Sequence, residues 1–109
     1  MNHNSRKEQC CRLLSKYPSS IPIIVHTRDK SIILPQSKFI VPNHITFSQF
    51  MTILRKKINL SKEEALFAFV NHRVVSSAAD PLSVVYDIHK DTDGFLTLTL
   101  CKENTFGMK

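Results

Sequence analysis

Glycine is almost missing from this sequence: among 109 residues there are two, Gly94 and Gly107. A chain so poor in glycine has no Gly-rich loop with a following lysine to cradle a phosphate, and little room for an active-site loop. The five histidines (His3, His26, His44, His72 and His89) show no i, i+4 pairing of the kind that holds a metal on one helix face. Neither a metal nor any other cofactor is therefore expected. The three cysteines, Cys10, Cys11 and Cys101, are an odd number without a Cys-x-x-Cys spacing; they are expected to be reduced thiols acting as small apolar fillers. No apolar run approaches the roughly 18 residues of a membrane-spanning helix. The opening MNHNSRKEQ is polar and lacks the apolar stretch of a secretory signal, so the chain is expected to be cytosolic as made.

What is present is ordinary for one soluble domain: 42% apolar and 22% charged residues in a length that can bury a single core. The net charge of +6 is spread over Arg6, Lys7, Arg12 and Lys16, then Arg28 and Lys30, then Arg55, Lys56 and Lys57. No RNP-like aromatic run or zinc spacing accompanies these bases. Solvated helix faces account for most of them, and no nucleic-acid partner is expected. A small basic nucleic-acid binder is the alternative, and it predicts affinity that falls steeply with salt.

Periodicity supplies the elements. Residues 5–16 read as a helix with Ser5 and Glu8 at capping-box spacing and with Cys10, Leu13, Leu14 and Tyr17 on one stripe; Pro18 ends it. SIPIIVHT reads as a strand that is apolar on both faces, so both faces must be covered. KFIVP reads as a second strand closed by Pro42. Thr46 and Gln49 form a capping box, with Ile45 and Phe50 as a hydrophobic staple, ahead of a helix carrying Phe47, Phe50, Met51, Leu54 and Ile58. SKEE predicts one helical turn and ALFAFVN a third strand. Asp80 as cap and Pro81 as first helical residue start a short helix. Asp93-Gly94 is a turn, and FLTLTLC alternates strictly as the last strand, with Leu96, Leu98 and Leu100 on one face and Phe95, Thr97, Thr99 and Cys101 on the other. Two strands, a long helix and two further strands make the α+β pattern of a ubiquitin-like β-grasp: a four-stranded mixed sheet with an N-terminal helical extension over its second face. The expected divisions are 1–17 for the extension, 18–102 for the β-grasp and 103–109 for a flexible tail.

Taken together and in order, KYPSSIPIIV, KFIVP, ITFSQFMTILRKKINLSKEEALFAFVN and the late TFG resemble the autophagy-related ubiquitin-like modifiers, the family that includes the GABA-receptor-associated protein. The likeness runs from about Lys16 to Gly107. It implies that a processing cysteine protease cuts between Gly107 and Met108, and that activating and conjugating enzymes pass the Gly107 carboxyl to phosphatidylethanolamine. The chain would then be cytoplasmic when free and on the autophagosome membrane when lipidated, because a two-chain lipid anchors firmly where a single chain does not. Glycine suits this role: without a Cβ it threads a narrow channel and leaves its carbonyl uncrowded. Read without the resemblance, FGMK is a frayed terminus.

The resemblance also implies receptors bearing a short aromatic-x-x-aliphatic motif, paired as an added strand beside KFIVP. Leu13, Pro22, Lys38, Ile40 and Phe95 correspond to the pocket for the aromatic residue. Phe39, Val41, Pro42, Ile45, Phe50 and Ile53 correspond to the pocket for the aliphatic one. Lys38, Arg55 and Lys57 would meet acidic neighbours of the motif. Read as residues alone, Phe39, Ile40, Val41, Ile45 and Phe50 are packing and capping residues. Three features depart from the family: there is room for one helix, not two, before the first strand; Ser20 stands where many relatives carry arginine; and the connection TRDKSIILPQS is shorter than usual. The chain is expected to be a substrate of enzymes and not an enzyme; a β-grasp adaptor without covalent chemistry is a further alternative.

Overall fold

The computed structural model describes residues 3–61, 63–71, 73–75 and 79–102. Its elements run α1 (His3–Lys16), β1 (Ser20–Thr27), β2 (Lys38–Pro42), α2 (Phe47–Lys57), β3 (Phe67–Val70), β4 (Arg73–Val74), α3 (Leu82–His89) and β5 (Leu96–Cys101). The strands form one sheet in the order β2-β1-β5-β3-β4, with β1 and β5 parallel and the other pairs antiparallel. That is the mixed sheet of a ubiquitin-like β-grasp, enlarged by a fifth strand of two residues that the sequence pattern does not announce.

The alternation of β5 decides which side is which. Leu96, Leu98 and Leu100 are fully buried and join Ile21, Ile23, Val25, Phe39 and Val41 in the main core under α2. From α2, the spacing of Phe47, Phe50 and Leu54 puts all three into that core. Phe50, with no exposed surface, gains about 2–3 kcal/mol from its burial. The helix begins as its sequence predicts: the Gln49 amide donates to Thr46 Oγ1, and the Thr46 amide donates to Gln49 Oε1. At its other end Asn59 takes a left-handed φ of 57° and the Leu60 amide reaches back to the Arg55 carbonyl, closing a Schellman turn. Asn71, at the end of β3, is also left-handed with a φ of 53°. Asparagine thus fills turn positions for which other chains use glycine.

The second face of the sheet is covered by α1. Cys10 and, half-buried, Leu13 and Leu14 pack on Ile24 and Phe95. This is why β1 is apolar on both sides. The helix starts at His3, so Ser5 lies inside it and is not its N-cap. An ion pair pins its first turns: Arg6 Nε lies 3.1 Å from Asp93 Oδ2, and Asp93 is almost wholly buried. Asp93 Oδ1 also accepts from the Phe95 amide at 3.0 Å, so one carboxylate fixes both the turn before β5 and the helix above it. Burial raises the Cys10 thiol above its ordinary pKa, with Cys11 and Asp93 adding to the effect. Cys10 is a filler as expected, whereas Cys11 is exposed; all three thiols are free.

Two further details differ from the sequence pattern. The short helix α3 has Pro81 at its N-cap with no side-chain cap bond. The Asp80 carbonyl instead accepts from the Phe47 amide at 2.9 Å, and the Leu82 amide donates to the Ile45 carbonyl at 2.8 Å. The starts of α2 and α3 therefore satisfy each other's backbone groups. Of the SKEE stretch, Ser61, Glu63 and Glu64 belong to no helix, and the Ser61 amide and hydroxyl both donate to Glu64 Oε1.

Candidate functional site: an open strand edge between two helices

Among the described residues the sheet order leaves β2 at an edge, paired on one side only, with β1. Its other side offers main-chain donors and acceptors to an added strand. Strand alternation sorts its side chains. Phe39 and Val41 are buried toward α2, while Lys38, Ile40 and Pro42 are exposed on the α1 side. The register repeats the division in β1: Ile40 lies opposite Pro22 and Lys38 opposite Ile24, on the α1 side, and Phe39 lies opposite Ile23 in the main core.

On the α1 side, Leu13, Pro22, Lys38, Ile40 and Phe95 are brought to one face. Pro22 and Phe95 are buried as its floor. Leu13 is half-buried beside them, and Ile40 is 36% exposed. Lys38 crosses to the helix, its Nζ donating to Gln9 Oε1 at 2.8 Å. Gln9 carries no signal in the sequence; only the packing of α1 beside β2 brings it here.

On the α2 side, Phe39 stands edge-on to Phe50 with ring centroids 5.8 Å apart. Lys57 Nζ sits 6.0 Å from the Phe39 ring centre, over its face. Ile53 is 38% exposed on the helix and presents apolar surface there. Val41 is buried and Ile45 half-buried against the core. Pro42 does not join this group: alternation puts it with Lys38 and Ile40, opposite Ser20.

Arg55 is not brought to this edge. Its Nη2 donates to the Ser61 carbonyl at 2.8 Å and the Glu64 carbonyl at 2.7 Å. It lines a cleft of about 200 Å³ between α2 and β3–β4, with Phe47, Met51, Leu66 and Val74. Gly107 and Met108 lie outside the described residues.

Chemically, the arrangement is a strand with one open edge, with partly exposed apolar side chains and one lysine on either side: Ile40 and Lys38 toward α1, and Ile53 and Lys57 toward α2. Among the described residues no group of histidine, cysteine and carboxylate side chains is gathered to hold a metal. Fold and edge together define a ubiquitin-like domain with an edge strand paired on one side.

Comparison with known proteins narrows the class. A family model described as "Autophagy protein Atg8 ubiquitin like" matches residues 5–107. The chain is 41% identical over 105 residues to autophagy-related protein 8d of Arabidopsis thaliana, covering 94% of this chain and 87% of that protein. It is 42% identical over 104 residues to autophagy-related protein 8 of Schizosaccharomyces pombe, covering 94% and 85%. Its fold matches the crystal structure of Trypanosoma brucei ATG8 with a TM-score of 0.86 at 34% identity, over 98% of this chain and 93% of that one. It also matches Plasmodium falciparum Atg8 in complex with a Plasmodium falciparum Atg3 peptide, with a TM-score of 0.85 at 26% identity, over 97% and 94%. The chain belongs to the Atg8 family of autophagy-related ubiquitin-like proteins.

Proposed function

We propose that this chain is a modifier whose Gly107 carboxyl, freed of Met108 and Lys109 by a cysteine protease, is joined through activating and conjugating enzymes to phosphatidylethanolamine. The free form is cytoplasmic, and the lipidated form sits on the autophagosome membrane. There it recruits receptors that carry an aromatic-x-x-aliphatic motif. The observation that carries the recruiting half is the unpaired edge of β2, with Pro22 and Ile40 on one side and Phe39 and Ile53 on the other. Main-chain pairing supplies affinity, and the apolar surfaces on the two sides of β2 select the aromatic and aliphatic side chains, which lie three residues apart and so point to opposite faces of an added strand. Lys38 and Lys57 suit acidic neighbours of the motif. The Plasmodium falciparum relative, with its Atg3 peptide, supports a conjugating enzyme as one partner of the fold.

A fluorescence titration tests this half. An aromatic-x-x-aliphatic peptide is expected to bind, and to keep most of its affinity as salt is raised, because apolar pockets dominate. Binding of single- or double-stranded DNA with a steep salt dependence, and none of the peptide, would favour the nucleic-acid reading instead.

A further inference from the structure

Lys102, the residue that follows β5, is held by its side chain. Its Nζ lies 2.7 Å from Glu64 Oε2. Glu64 is itself fixed: its Oε1 accepts from the Ser61 amide at 3.2 Å, and its carbonyl accepts from Arg55 Nη2 at 2.7 Å. A continuous set of bonds therefore runs from the last turn of α2 to Lys102. On the other side stands Asp29, in the connection after β1. Because β1 and β5 are parallel, their ends lie together, and the Arg28 amide donates to the Leu100 carbonyl at 3.2 Å. The Asp29 carboxyl accepts from the Ser31 hydroxyl at 2.7 Å and the Ser31 amide at 2.9 Å. Those two bonds hold it below the ordinary carboxylate pKa, and the charge and backbone N–H of Lys102 add to the effect. Glu64 thus holds the side chain of Lys102, and the Arg28–Leu100 bond ties the end of β5 to the end of β1 just before it.

A lone surface ion pair contributes little to stability. This one joins three segments at the residue from which the chain leaves the sheet, so its main effect is on direction. We propose that Glu64 and Lys102, with Arg55 behind Glu64, form a positioning clamp that sets where the segment beyond residue 102 departs, and that the enzymes acting at Gly107 depend on it. The proposal rests on the conjugation reading above. Gly107 is five residues beyond Lys102, a reach of at most ~17 Å at ~3.3 Å per residue. An enzyme docked on the folded body must find the Gly107 carbonyl within that radius. Fixing the root of the segment narrows the volume searched and raises the effective concentration of the carbonyl at the attacking thiolate. Lys102 is a positioning residue and touches no reacting atom.

The test uses the full chain and a purified Atg8-processing cysteine protease, with loss of Met108 and Lys109 followed by intact mass. Glu64→Lys and Lys102→Glu are each expected to lower kcat/KM about three- to tenfold, mainly by lowering kcat, since docking on the folded body is unchanged. The double charge swap restores the pair and is expected to return to within about twofold of the original chain, as is Lys102→Arg. A protease that merely reads either side chain directly would find the double variant worse than both singles. Binding of an aromatic-x-x-aliphatic peptide at β2 is expected to stay unchanged throughout. Single variants cut at the original rate, or a double variant no faster than the slower single, would overturn the clamp. Failure of the unaltered chain to be cut after Gly107 shows in the control arm alone, and there the conjugation reading falls first and takes the clamp with it.

Discussion

Cys10 and Gly94 touch across the seam between α1 and the turn into β5: a Cβ placed on Gly94 would meet Cys10 Sγ at 2.6 Å. Gly94 also has a φ of +94°, in the region that side chains avoid. Both reasons require glycine here, in a chain that uses it twice. Gly94→Ala is expected to destabilise the fold by about 2–4 kcal/mol in urea unfolding, from backbone strain plus overpacking. Adding Cys10→Ala removes the clash and leaves the strain, so the double variant should lose less than the two single losses added together.

Asp93 makes two bonds with two oxygens, and substitutions separate them. Asp93→Asn keeps an acceptor for the Phe95 amide and gives up the ion pair with Arg6. Asp93→Ala gives up both and leaves a buried amide unsatisfied. The alanine variant is expected to cost about 2–4 kcal/mol and the asparagine variant about half of that, measured by chemical denaturation. Equal losses would mean that the Phe95 bond contributes nothing.

The carboxyl of Glu64 is held below its ordinary pKa, first by the hydrogen bond from Lys102 and then by the Ser61 amide. A depressed carboxylate binds fewer protons in the folded chain than in the unfolded one. Its contribution is therefore present above the ordinary value of 4.5 and lost as pH falls through the lower folded value. Glu64→Gln should flatten the stability profile in that acid window and leave the profile above pH 6 parallel to the original. Glu64 is exposed to solvent, so the change is expected to be small and to shrink in salt.

The fold was legible where one residue type has one use. The Thr46–Gln49 box, the alternating LTLTL and the doubly apolar SIPIIV each admit a single local reading, and α1 over β1 follows from the last of these. The edge position of β2 was legible only through the family resemblance, because nothing local to KFIVP says which side remains unpaired. Contacts that depend on chain reversal over long distances were not legible. Arg6 meets Asp93 only because α1 folds back over β5. Arg55 has the same local pattern as Lys57, yet it turns to the 61–64 carbonyls while Lys57 lies over Phe39. Asp80 has the composition of a cap and serves through its carbonyl instead, because the start of α2 competes for it. β4 is two residues long, too short to carry a period.

At the β2 edge, exposed and buried members of the candidate site are expected to behave differently. Ile40 and Ile53 keep more than a third of their surface in solvent. Ile40→Ala and Ile53→Ala should each weaken an aromatic-x-x-aliphatic peptide by about 1 kcal/mol, roughly fivefold, with little change in Tm. Phe50, which has no exposed surface, should lose about 3–5 kcal/mol of stability as Phe50→Ala. Calorimetric titration and thermal melting of the same three variants distinguish the groove from the core.

The central claim is that this chain acts through a covalent bond made at Gly107. Intact mass of the purified chain, after incubation with processing, activating and conjugating enzymes, ATP and phosphatidylethanolamine vesicles, tests it most directly. The predicted result is loss of Met108 and Lys109 followed by a gain of one phospholipid, abolished in Gly107→Ala. A chain that keeps both residues and its original mass, or a Gly107→Ala variant that acquires the lipid equally well, would contradict it.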